Sequence, residues 1–83
     1  MDRKIKIAAA GNVMPGALAC LKSLGFAVST DGNGWRAESE SRAFWADDPL
    51  LLLGLVKLHD LRGDEWRPSD AEVEDYLALS GER

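Results

Sequence analysis

"DDPLLLLGLVKLHDL" (residues 47–61) carries four leucines in a row and reads as one helix with more aliphatic side chains than a single face uses. Asp48 before Pro49 is an N-cap followed by the residue type best suited to the first helical position. Asp47 adds negative charge at the positive end of the helix dipole. The helix is expected to stop at Arg62, with Gly63 just past its end. At about 100° per residue, Leu50, Leu51, Leu55, Leu58 and Leu61 share an arc of about 140°, read here as the core-facing side. Leu52, Leu53 and Val56 fall opposite, interleaved with Lys57, His59 and Asp60. They are expected to lie either under the C-terminal helix or against another chain. Gly54 costs about 1 kcal/mol relative to Ala in mid-helix, and is read as a point of close approach by a neighbouring element.

Upstream, "KIKIAAA" (4–10) alternates, with Ile5, Ile7 and Ala9 on one face and Lys4 and Lys6 on the other, the pattern of a half-buried strand. "GNVMPGALACLKSLGF" (11–26) follows as turn, helix and stop. Asn12 is read as the N-cap and Pro15 lies in the first turn. Met14, Ala17, Leu18, Leu21 and Leu24 form the apolar stripe. Gly25 is the C′ residue, from which Phe26 folds back toward Leu21. "FAVST" (26–30) is a second strand and "DGNG" (31–34) a strong turn signal. "WRAES" (35–39) and "RAFWA" (42–46) read as a hairpin. Residues alternate across a strand, so Trp35 and Phe44 are assigned to the core face. Trp45 goes to the outer face, with Lys4, Lys6 and Arg36. After the leucine helix, Ser69 and Glu72 form a capping box that opens a last helix, with Val73, Tyr76 and Leu77 inward. The fold class is α+β in the order β-α-β-β-β-α-α: one domain, with one small mixed sheet and helices packed on one face.

The expected core is Ile5, Ile7, Leu18, Leu21, Phe26, Val28, Trp35, Phe44, Leu51, Leu55 and Leu58. Eighty-three residues make a single small domain, a size that often leans on oligomerisation for stability. Net charge is −4, which argues against a nucleic-acid binder relying on phosphate neutralisation. One cysteine, Cys20, rules out an internal disulfide framework and makes the cytoplasm the default location. Residues 1–20 resemble a lipoprotein signal in outline, but Gly11, Asn12, Pro15 and Gly16 interrupt the continuous apolar stretch that a signal needs. No stretch has the length of a membrane span.

Catalytic chemistry is not expected. His59 is the only histidine, and no partner can be named that would make it a general base. Cys20 is read as a half-buried structural thiol, and one His with one Cys cannot make a zinc site. No cofactor or metal is expected. Gly11 and Gly16 have the spacing of a phosphate loop, but Ala17 and Leu18 stand where Lys and Ser/Thr are needed. An anion site at Gly11, Asn12 and Gly16 is therefore carried only as an alternative. The leading expectation is a non-enzymatic module that binds another protein or itself, with a homodimer one form of it. Its contacts would come from Trp45, Arg36, Leu52, Leu53 and Val56. A likeness to immunity-type inhibitors is an analogy of size and charge alone. A second alternative is a single-stranded nucleic-acid binder stacking bases on Trp45, against which Glu38 and Glu40 count.

Overall fold

The computed structural model of the chain describes residues 3–81. The elements are α1 (Met14–Ser23), β1 (Ala27–Thr30), β2 (Trp35–Glu38), β3 (Ala43–Ala46), α2 (Pro49–Arg62), a short 3-10 turn (Gly63–Glu65) and α3 (Asp70–Ser80). The fold is a small α+β fold. Its three strands form one antiparallel sheet in the order β1-β2-β3.

The local signals in the sequence act where they stand. α1 ends in a Schellman motif: the Gly25 N–H donates to the Lys22 carbonyl and the Phe26 N–H to the Leu21 carbonyl, at 3.0 and 3.1 Å, with Gly25 at φ 93°. This brings Phe26 back over Leu21, and both enter the core. In the turn after β1, the Asp31 carboxylate accepts from the Asn33 and Gly34 amides at 2.9 and 3.3 Å. Those bonds, Asn33's first, hold its carboxyl below the usual range. Asp48 caps α2 by accepting from the Leu51 N–H at 2.8 Å. Ser69 and Glu72 complete the capping box of α3.

Register sets the faces of the sheet. Ala37 pairs with Phe44, and Arg36 with Trp45. Ala37 is fully buried, and Phe44 and Trp35 pack on the core; Trp45 is 63% exposed on the other face. The core itself is Leu21, Phe26, Ala37, Leu52 and Val56.

Four expectations are corrected. The first concerns α2, which is turned over. Leu52 and Val56, expected on its outer side, are 0% and 1% exposed, while Leu51 and Leu61, expected on its core-facing side, are 52% and 73% exposed. Leu55 and Leu58 are only half-buried. The physical reason lies in Gly54, which sits inside the leucine arc. A side with no side chain at its middle cannot fill a core, whereas Pro49, Leu52 and Val56 make a continuous ridge, flanked by Leu53, that does. A Cβ built on Gly54 meets nothing within 4 Å, so no element approaches it. Gly54→Ala is therefore expected to raise stability by up to about 1 kcal/mol, read as a higher urea midpoint. A lower midpoint would mean that this side of α2 is covered.

Second, residues 4–10 form no strand: Ile5 and Ile7 are 89% and 80% exposed, and the sheet is antiparallel, not mixed. Alternation supplies a strand's period, but its backbone groups also need a partner. Third, α3 does not close over α2. None of its residues is buried, and Val73, Tyr76 and Leu79 are 40%, 63% and 84% exposed. A two-armed ion pair from Arg62 to Glu72, 3.0 Å on each arm, ties its first turn to α2. Together with the Ser69 amide, the Arg62 guanidinium holds the Glu72 carboxyl below its ordinary range, Arg62 being the larger cause. Fourth, Val13, not Asn12, occupies the N-cap of α1, with no side-chain bond. Leu18 is only half-buried, and Cys20 is exposed.

Candidate functional site

The residues singled out from sequence separate into two groups. Leu52 and Val56 are core, so neither offers an open contact surface, and Leu53 is half-buried against them. Trp45 and Arg36 do stand together on the outer sheet face, with the guanidinium carbon 5.1 Å from the ring centroid. Arg36 is also paired with Glu38 at 2.9 Å. Lys4 and Lys6 do not join them, because their segment is not in the sheet. A cleft of about 640 Å³ lies at that end of the sheet beside Asp31, Asn33, Arg36, Trp45 and Asp47. It is broad and mixed in character, with Trp35 and Trp45 beside the polar side chains. Its one arginine is already engaged, and two aspartates oppose a phosphate chain. At Gly11, Asn12 and Gly16 the chain is exposed, and no side chain caps the start of α1.

A second cavity is smaller and more apolar. It is a groove of about 310 Å³ between β3 and α2, lined by Phe44, Trp45, Leu55, Leu58, His59 and Trp66, with Ala43 at its end. β3 pairs only with β2, so among the described residues its other edge is free. Three consecutive residues of β3 line the groove, which places that free edge along it. An unpaired strand edge presents a row of backbone donors and acceptors. Here the row runs beside apolar side chains from a helix.

One wall of the groove is held by a cluster that sequence reasoning did not find. Arg42, just before β3, lies 5.3 and 5.6 Å from the ring centroids of Phe26 and Phe44. Its Nη1 donates to Asp60 Oδ1 at 2.7 Å and lies 3.0 Å from His59 Nδ1. Arginine only donates, so Nδ1 is the acceptor and the ring carries its proton on Nε2. The His59 ring also meets Phe44 edge-on at 6.3 Å. Arg42 thereby fixes His59 and Phe44, from two different elements, against each other. The sequence signal was faint: Arg42 and His59 are 17 residues apart, and only the fold of β3 beside α2 brings them together. Trp66, between the 3-10 turn and α3, carries no periodic signal either. It is 42% exposed and stacks under Arg67, whose guanidinium carbon is 4.5 Å from its ring.

Among the described residues no three His, Cys, Asp or Glu side chains gather to hold a metal ion, and no helix is long and apolar enough to cross a membrane. No family model, curated protein or solved structure matches the chain.

Proposed function

We propose that the protein is an interaction module that binds an extended segment of polypeptide in the groove between β3 and α2. A single observation carries the reading: the free edge of β3 lies against an apolar groove. Strand addition uses those two features together. Main-chain hydrogen bonds to the edge supply affinity, and a pocket receiving alternate side chains supplies selectivity. Three of the four residues of β3 line the groove, and Leu55, Leu58 and Trp66 would receive the inward-pointing side chains. The reading assigns His59 a structural part, its Nδ1 being engaged by Arg42.

A displayed library of extended peptides tests this. Selection should enrich sequences with apolar residues at alternating positions. Trp66→Glu, at a half-exposed site away from the core, should weaken their binding by about tenfold or more, the loss of roughly one aromatic anchor. No enrichment, or binding indifferent to Trp66→Glu, would count against the groove.

A further inference from the structure

We propose that the occupant of the groove is residues 4–8 of a second copy of this chain, added as a strand to the free edge of β3; this rests on the reading of the groove as a strand-binding site. "KIKIA" has the alternation of a strand and no strand partner, and its Ile5 and Ile7 are 89% and 80% exposed. β3 has the edge and the apolar wall that the segment lacks. Laid along β3, Ile5 and Ile7 point to one side, toward Leu55, Leu58 and Trp66. Lys4 and Lys6 point to the other, along the outer face that carries Trp45.

Charge favours the same pairing. Lys4 and Lys6 carry +2 on a chain of net −4, so the remainder carries −6. Asp47 directly follows β3, and Asp64 and Glu65 directly precede Trp66. The basic segment thus meets an acidic body, an attraction that salt should weaken.

The uncovered surface is large enough for a second copy. The radius of gyration is 15.2 Å, against about 12 Å for a compact chain of this length. The accessible surface is 6814 Å², against roughly 4,900 Å² for a folded monomer of this mass. A stable interface takes about 800 Å² from each partner, so the excess is sufficient for one. Within one chain, α1, which follows the segment, packs on β1 and α2, and β1 is the opposite edge of the sheet from the free side of β3. The β1 edge is the rival acceptor, but its residues are exposed apart from half-buried Val28, and the cleft that reaches its Ser29 and Thr30 also carries Asp31, Asn33 and Asp47.

Sedimentation velocity on the full chain across micromolar concentrations gives the test. Wild type should show a reversible dimer that weakens with salt. The double variant Ile5→Glu with Ile7→Glu should weaken it by about a hundredfold or more, as expected for losing two buried aliphatic side chains. Its melting temperature under monomeric conditions should not change, since both positions are exposed in the protomer. A labelled peptide of residues 3–10 should bind that double variant and shift the amide resonances of residues 43–46, and Trp66→Glu should abolish both. A monomeric wild type, or a dimer untouched by the double variant, overturns the proposal. If the dimer survives the double variant but is lost in Trp66→Glu, the groove binds a different segment and only the occupant is wrong. If it survives both, the groove reading falls as well. A monomeric wild type whose groove still selects peptides assigns the site to another protein.

Discussion

Leu52→Ala is expected to destabilise the domain by about 2–5 kcal/mol, whereas Leu51→Ala, one residue away, should change stability by less than about 0.5 kcal/mol beyond its helix propensity. Leu52 is fully buried within the cluster formed with Leu21, Phe26, Ala37 and Val56. Truncating it removes the transfer energy of its methyl groups and leaves a cavity where α1, α2 and the sheet meet. Leu51 is 52% exposed. A domain of 83 residues has a total stability of about 4–12 kcal/mol, so the Leu52 variant lies near the threshold of folding. Urea unfolding of the two variants side by side settles the phase of α2. Equal losses, or a larger loss for Leu51→Ala, would reverse the orientation described here.

Phe26→Ala should cost about 3–5 kcal/mol and should also loosen the groove. Phe26 is 5% exposed. It follows the Schellman turn of α1, meets Phe44 edge-on at 5.9 Å and lies under Arg42 at 5.3 Å. Its removal therefore takes away both a core ring and one of the two faces that seat Arg42. The measurable consequence is a lower melting temperature together with altered side-chain resonances of Arg42 and His59. In a milder variant, Phe26→Leu, the ring contacts disappear while most of the volume remains. Unchanged Arg42 and His59 signals in Phe26→Leu would show that Phe44 and Asp60 suffice to hold the cluster. Phe26 and Leu52 share one contact cluster, so the double alanine variant should fall short of additivity.

Much of the chain follows from interactions that span only a few residues. Asp48 and Pro49 start α2, Gly63 ends it, Ser69 with Glu72 starts α3, and Gly25 turns Phe26 back onto Leu21. The DGNG turn and the strict alternation of β3 were enough to place Trp35 and Phe44 inside and Trp45 outside. These features were legible because both partners of each interaction lie close together in the sequence. Other features were decided only by the tertiary structure. α2 offers aliphatic residues on both sides, and counting leucines favours the wrong one. Shape complementarity to α1 and the sheet, with Gly54 leaving a gap on the other side, selects Leu52 and Val56. The strand pattern of residues 4–8 cannot by itself supply the edge it would pair with, and the apolar residues of α3 do not specify what they face. Arg42, His59 and Asp60 meet only because β3 and α2 pack side by side. The groove they support is built from residues on three separate segments, and no periodicity within any one segment encodes it.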